Sequence, residues 1–367
     1  MSRPSVVVLC GGRSAERRVS LVSAQCVVAH LDPRRFRARL VHLGTDGSWA
    51  EVRPERLLAE TPQAFHASPA ALRRLRAGAR ALNPWTLLSG LRPEDCVFPV
   101  LHGPLGEDGT LQGLLELAGA AYVGCGVLGS AAGMDKEATK RVAAQAGLPQ
   151  VPWAVARSPR DVAAAARRFG FPVFVKPARM GSSVGVSKVE RPSEIPAALR
   201  EALRYDDKAL VEKGIPAREI EIAVLGDPWA PAGDRLALKA SIIGEISPNA
   251  EFYDYRAKYL DPDGARLTAP APLPARSAAR VRDLALAAFR ALDLYGLARV
   301  DFFVHKGTGA VYFNEPNTLP GFTPSSMYPR LWRESGVPTG RLVETLVALA
   351  QRRARARRRL SSDPRVR

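Results

Sequence analysis

Apolar residues along this chain follow two periods. Val6-Val-Val-Leu-Cys10 and Cys96-Val-Phe-Pro-Val-Leu101 are short continuous runs, the pattern of strands buried on both faces, as in a parallel sheet. Each run ends in a Gly-rich loop, at Gly11-Gly12 and at His102 to Gly109, and helical spacing follows. Leu21, Val22 and Val27 mark the first helix; Leu111, Leu114, Leu115 and Ala118 mark the second, with Gly119 as its stop. A strand, loop and helix in that order place the loop at the C-terminal end of a sheet, where α/β proteins bind ligands. Glu16 and His102 stand there. The plainer readings are a solvated helix-start carboxylate for Glu16 and a structural imidazole for His102.

Val41-His42-Leu43 reads as another strand and Thr45-Asp46-Gly47 as a turn, whereas residues 51–91 show weak periodicity and support no assignment. Asp135 is placed to cap a helix opened by Lys136 and ended by Gly147-Leu-Pro149. Pro172 to Pro177 and Val186 to Val189 read as strands flanking Ala178 to Gly185. That loop includes Ser182 and Ser183, and its backbone N–H groups and hydroxyls suit an anion, although the P-loop spacing is missing. A helix is expected over 193–205, a strand over 210–213 and an alternating strand over 218–225. Residues 227–239, with Pro228, Pro231 and Gly233, are irregular; Tyr253 to Leu260 is a polar, aromatic loop of the kind that carries binding residues; Ala278 to Leu292 is an Ala-rich helix.

The strongest local pattern is the pair Leu297 to His305 and Val311 to Asn317, joined by Lys306-Gly-Thr-Gly309 in the manner of a β-hairpin. Alternation puts Arg299 and Asp301 on one face of the first strand, and Glu315 and Asn317 together at the end of the second. Two carboxylates and an amide converging in this way suit a hard divalent cation that keeps phosphate oxygens and waters in its shell, Mg²⁺ above all. A surface hairpin with solvated polar residues is the alternative.

Length and composition change this picture little. The 367 residues are enough for two or three domains, and 46% hydrophobic with 24% charged residues is ordinary for a globular protein. A formal charge of +17 is unusual and raises nucleic acid, anionic membrane or anionic substrates as partners. Much of the excess is Arg in Ala/Arg-rich stretches, 72–80 and 352–359, without basic-aromatic interleaving. The tail after Leu349 is expected to fray. Cys10, Cys26, Cys96 and Cys125 lack metal-site or paired spacing. The start has no signal-peptide h-region and no apolar run is long enough to cross a bilayer, so a reducing cytoplasm is the expected compartment.

Taken in order, Gly11-Gly-Arg-Ser-Ala-Glu16, His102-Gly-Pro-Leu-Gly-Glu-Asp-Gly109, Met134-Asp-Lys136, Lys176-Pro-Ala-Arg-Met-Gly-Ser-Ser-Val-Gly185, Glu212-Lys213, Tyr255-Arg-Ala-Lys258-Tyr259, Arg299-Val-Asp301 and Asn314-Glu-Pro-Asn-Thr-Leu-Pro-Gly321 resemble the D-alanine–D-alanine ligase family of the ATP-grasp superfamily. The resemblance implies an α/β protein of three domains: an N-terminal domain over 1–135, a central ATP-grasp subdomain over 136–216 and a C-terminal one over 217–350, with 351–367 as a basic tail.

It further implies ATP and two Mg²⁺ or Mn²⁺ ions. Lys136 and Lys176 are expected on the phosphates, with Lys258 at the transferring phosphoryl group; Glu212, Lys213, Ile215 and Glu219 near adenine and ribose; Ser183 and Asn314 as further ATP-binding residues; Asp301, Glu315 and Asn317 on the metals. Glu16 would hold the first D-alanine's ammonium, with Ser182 and Tyr259 closing over it and His102 in the same pocket. Arg299 and Gly321 would stabilise an oxyanion; Ser326 and Met327 would take the second substrate's carboxylate. D-Alanine is expected in both positions, because Tyr259 resembles the dipeptide-forming members, and a homodimer is expected. A D-alanine–D-lactate ligase, another ATP-grasp ligase and a nucleic-acid-binding protein on an inactive scaffold are the competing readings.

Overall fold

The computed structural model describes residues 3–67, 69–248 and 265–360. Its first sheet has the order β4-β3-β2-β1-β5, with β1 (Ser5–Gly11), β2 (Arg37–Leu43), β3 (Trp49–Val52), β4 (Arg80–Leu82) and β5 (Cys96–Pro99). β1 runs parallel to both neighbours. Val6 to Cys10 are wholly inaccessible, as the continuous apolar run requires. α1 (Arg17–His30) follows directly after the Gly11-Gly12 loop.

The stretch 51–91, unassigned from sequence, is ordered into β3, β4 and four short helices: α2 (Pro54–Leu58), α3 (Pro62–Ala67), α4 (Pro69–Arg76) and α5 (Pro84–Ser89). Each helix is too short to display a period. Each also begins with proline, whose fixed φ suits the first helical position. That was the available signal.

α6 (Thr110–Leu117) and α7 (Val127–Met134) lead to α8 (Lys136–Gln145), where Asp135 caps the N-terminus by accepting from the Glu137 and Ala138 amides at 2.9 and 3.1 Å. The second sheet is antiparallel in the order β6-β9-β7-β8: β6 (Trp153–Ala156), β7 (Val173–Pro177), β8 (Ser187–Val189) and β9 (Ala209–Lys213). α9 (Pro159–Phe169) and α10 (Ile195–Ala202) cover it, and Val162, Phe169, Val173 and Leu199 belong to a core of its own. α10 is shorter than the expected 193–205, because its first turn is a 3₁₀ turn at Pro192–Glu194.

The third sheet, also antiparallel, has the order β12-β11-β10-β13-β14: β10 (Ala217–Gly226), β11 (Lys239–Pro248), β12 (Ala265–Thr268), β13 (Gly296–His305) and β14 (Val311–Asn317). α11 (Ala275–Ala291) packs on one face, burying Phe289 with Ile220, Ile222, Val300, Phe302 and Phe313. Ala143 of α8 and Leu148 join this core, so the helix expected to open the central unit packs with the third sheet.

α12 (Met327–Glu334) and α13 (Thr339–Arg358) bind the first and third sheets into one core, in which Val6, Phe98, Phe322, Tyr328, Trp332 and Leu346 meet. The core of the second sheet shares no residue with those of the other two. The tail differs from expectation as well: α13 continues to Arg358. Arg353 lies 4.3 and 4.9 Å from the ring centroids of Tyr122 and Tyr295 and donates to the Tyr122 and Gly124 carbonyls at 3.0 and 2.8 Å. Arg352 pairs with Asp227 and Asp234, which anchors the irregular 227–239 loop, and Arg357 pairs with Glu116. Cationic stems that look soluble in sequence hold the helix down through their aromatic and carboxylate partners.

Candidate active site

A cleft of about 390 Å³ opens between the second and third sheets and reaches the loops of the first. On β13, Val300 and Phe302 turn into the core while Arg299, Asp301 and Phe303 line the cleft. β14 would break this scheme if it alternated throughout. Val311 and Phe313 are core residues, so Glu315 and Asn317 would also face inward. A β-bulge prevents it: Asp301 pairs with Glu315 but Phe302 pairs with Phe313, which leaves Asn314 as the extra residue and changes the phase of the strand. Glu315 and Asn317 therefore join Asp301 and Arg299 on the cleft face.

Across this face run three carboxylates in register, Glu221 on β10, Asp301 on β13 and Glu315 on β14. Arg299 meets two of them, donating to both Asp301 oxygens at 2.8 and 2.7 Å and approaching Glu221 Oε1 at 3.1 Å. The donors suit a hard divalent cation: two carboxylates, the Asn317 amide oxygen, which accepts from the Leu319 amide at 3.1 Å and keeps a second lone pair, and Asn314 Oδ1, buried with no hydrogen-bond partner among the described residues.

The facing wall is cationic. Lys176 Nζ lies 2.6 Å from Glu212 Oε2, and Lys140 Nζ 2.6 Å from Glu212 Oε1, though off the direction of an aligned hydrogen bond. All three side chains are buried. Burial opposes the Lys176 charge, but Glu212 and then Glu315 raise its pKa above the ordinary lysine value. Burial would raise the Glu212 carboxyl; the two lysines bring it down to about 2. For Lys140 burial wins over Glu212, and its pKa is lowered. Lys136 Nζ donates to the Met180 carbonyl at 2.6 Å and lies 3.4 Å from Glu315 Oε2, linking the two walls. The Glu212 carboxylate thus holds the two lysines, and Glu212 also lines the cleft. Lys213, Ile215 and Glu219 line the cleft where the chain passes from β9 to β10, near the apolar surfaces of Phe174 and Phe303.

At the third side, Ser182 Oγ donates to Glu16 Oε1 at 2.5 Å. Ser182 and Ser183 adopt left-handed φ of 51° and 57°. This conformation is costly for residues with a Cβ, and it curls the loop so that successive amides turn to a common side. His102 is buried and both its ring nitrogens are used: Nδ1 donates to the Leu319 carbonyl at 3.0 Å, and Nε2 accepts from Ser23 Oγ at 3.0 Å. Ser23 Oγ also accepts from the Phe322 amide at 3.1 Å. The imidazole is held neutral, its pKa lowered by burial against the opposing pull of Glu16. It positions the loop carrying Gly321 and leaves no ring nitrogen for a substrate.

Gly321, Ser326 and Met327 line the cleft at the start of α12. The Met327 side chain is core, its Cε filling the space beside Gly244, so only its main chain can meet a ligand. Lys258 and Tyr259 lie outside the described residues. Sequence reasoning missed three residues. Lys140 stands four positions after Lys136 on the same helical face. Glu221 alternates with Glu219 on β10. Glu107, in the His102 loop, is buried, and burial and then Glu16 push its carboxyl up to about 8. Its Oε1 accepts from the Gly103 amide at 2.8 Å.

The chain matches the families described as D-ala D-ala ligase N-terminus over residues 5–125 and D-ala D-ala ligase C-terminus over residues 142–348. It is 45% identical to a D-alanine–D-alanine ligase of Heliobacterium modesticaldum over 99% of both chains, and 49% identical to D-alanine–D-alanine ligase A of Bradyrhizobium diazoefficiens over 97% of both. Among solved structures, the D-alanine–D-alanine ligase of Coxiella burnetii superposes with a TM-score of 0.82 at 35% identity, covering 98% of this chain and 97% of that one. VanG D-Ala:D-Ser ligase of Enterococcus faecalis superposes at 0.77 and 30% identity, covering 95% and 100%.

Proposed function

The chain belongs to the D-alanine–D-alanine ligase family, whose ATP-dependent reaction serves peptidoglycan precursor synthesis, and we propose how its own residues carry that reaction. The observation behind the reading is the opposition of Lys136 and Lys176 to Asp301 and Glu315 across one cleft whose third side is Glu16 with Ser182. A carboxylate is a poor electrophile. Transfer of the ATP γ-phosphoryl group to the carboxylate of the first D-alanine gives an acyl phosphate and ADP; attack by the amine of the second D-alanine expels phosphate and forms the dipeptide.

Lys136 and Lys176 hold the phosphates, with amides of the 178–186 loop above them. Asp301, Glu315 and Asn317 would hold Mg²⁺ or Mn²⁺, which supplies charge neutralisation at the phosphoryl oxygens. Glu16 takes the ammonium of the first D-alanine, and its bond to Ser182 ties that substrate to loop closure, excluding water that would hydrolyse the acyl phosphate. Arg299 and the Gly321 amide stabilise the oxyanion formed when the amine adds, each such donor worth about 3 kcal/mol of barrier. Ser326 and the main chain of Met327 receive the carboxylate of the second substrate.

We further propose D-alanine as that second substrate, on the resemblance of Tyr259, and a cytoplasmic homodimer. A second copy would cover Leu117, Val127 and Leu128, which lie exposed on the adjoining helices α6 and α7. No helix among the described residues is long and apolar enough to cross a membrane.

Phosphate release with ATP and Mg²⁺ tests the assignment when D-alanine, L-alanine, D-alanine with D-lactate and D-alanine with D-serine are compared and products are weighed by mass spectrometry. Release with D-alanine and accumulation of the dipeptide is expected even with the competing acceptors present. A depsipeptide or a D-alanyl-D-serine product would move the acceptor assignment, and no release from folded protein would overturn the reading.

A further inference from the structure

Arg299 and Asp301 face a conflict of roles. In the reaction proposed above, the carboxylate must hold a cation and the guanidinium must serve an oxyanion, yet here each occupies the other: both Asp301 oxygens accept from Arg299, at 2.8 and 2.7 Å. A bidentate arginine is a strong competitor for a carboxylate that must bind a metal. If it stayed, the cation would have to displace it; if it left without another partner, the oxyanion donor would be unplaced.

Glu221 lies where this conflict can be resolved. It is directly opposite Asp301 in the β10–β13 register, its side chain is 6% exposed, and its Oε1 is already 3.1 Å from Arg299 Nε. The Arg299 and Asp301 side chains are more accessible, at 21% and 13%. On the other side of Glu221 the register partner is Gly244, and Met327 Cε fills the space a side chain there would take. The carboxylate is thus walled in beside the arginine, while Asp301 stands at the open side next to Glu315.

We propose that Glu221 is a positioning residue that takes Arg299 over from Asp301 when a divalent cation claims Asp301, keeping the guanidinium in the cleft as a donor. The proposal rests on Asp301 being a metal ligand. Glu221 draws Arg299 away and so strengthens cation binding only through the arginine. It is not itself a ligand.

The full chain, saturated with a non-hydrolysable ATP analogue, is titrated with Mn²⁺ and bound ion is counted by electron paramagnetic resonance, so no turnover is needed. Glu221→Gln is isosteric, and thermal unfolding checks each variant. With Arg299 present, Glu221→Gln is expected to weaken Mn²⁺ binding about tenfold; in an Arg299→Gln background the same change is expected to alter it less than about twofold, the signature of coupled residues. Equal weakening in both backgrounds would make Glu221 a charge acting on the ion directly, and no weakening with Arg299 present would leave it without this role; either overturns the handover. Asp301→Asn separates the underlying assumption: wild-type Mn²⁺ affinity in that variant removes Asp301 as a ligand, whereas loss of Mn²⁺ there with an unaffected Glu221→Gln sinks the handover alone.

Discussion

On the second sheet one carboxylate, Glu212, lies between two lysines; on the third sheet one arginine, Arg299, lies between two carboxylates. The arrangements are near inverses in charge and differ in access. Lys140 and Glu212 side chains are 1% and 5% exposed, against 21% and 13% for Arg299 and Asp301. A buried cluster cannot exchange partners without leaving a bare charge in low dielectric, so it is suited to holding Lys176 in place for every turnover. A half-open cluster meets water and ligand, and its partners can change. One wall presets charge and the other exchanges it.

That contrast is sharpest when stability and activity are measured on the same variants. Asp301→Ala or Glu315→Ala is expected to reduce phosphate release at least about a thousandfold while urea unfolding moves little. Full activity in either would remove the metal assignment. Glu212→Gln is expected to do the reverse in stability, costing about 3–5 kcal/mol because two buried lysines lose their counter-charge. Lys140→Met on top of it should recover part of that loss. If Glu212→Gln unfolds at the wild-type urea midpoint, the buried wall is no more rigid than the open one.

Glu107 offers a third comparison, a buried acid that makes no salt bridge among the described residues, unlike Glu212. Its pKa is raised from 4.5 to about 8 in the folded protein. The folded state therefore binds the proton more tightly than the unfolded chain does. Its favourable contribution is complete below about pH 4.5, falls as pH rises through the window to about 8, and is level above that. Within the window the slope approaches about 1.4 kcal/mol per pH unit. Subtracting Glu107→Gln melts from wild-type melts between pH 4 and 9 should show this decline; a pH-independent difference would mean that Glu107 titrates normally.

Ser182→Ala removes a hydroxyl donor to the Glu16 carboxylate. A hydrogen bond to a charged group of about 1.5–3 kcal/mol predicts a loss of roughly 10- to 100-fold in kcat/KM for the first D-alanine, with folding unchanged. Far from both walls, Arg353→Met leaves Tyr122 and Tyr295 stacked on an uncharged stem. A cost of about 1–2 kcal/mol in unfolding, with kcat unaltered, is expected; a larger loss of activity would tie the C-terminal helix to the cleft.

Much of the organisation was legible in residues alone. Continuous apolar runs marked β1 and β5, alternation marked β10 and β13, and Asp135 with Gly147 bounded α8, because burial on two faces, burial on one face and unsatisfied helix ends each demand a local pattern. The same logic put Glu16 after a buried strand and Asp301 on a hairpin face, whereas Lys136 and Lys176 were singled out only through the family resemblance. Residues 51–91 escaped it because elements of three to eight residues carry no measurable period, and the Arg-rich end escaped it because its aromatic and acidic partners lie far away in sequence.

Tertiary structure alone decided the rest. The phase change at Asn314 depends on how two strands pair, and local alternation would have left Glu315 on the face of Phe313. The partners of Glu212, the double commitment of His102 and the contest between Asp301 and Glu221 for Arg299 all arise between segments far apart in the chain. Sequence determines which side chains carry charge. Whether a charge is locked, neutralised or exchangeable is set by burial and by which opposite charge the fold brings within about 3 Å.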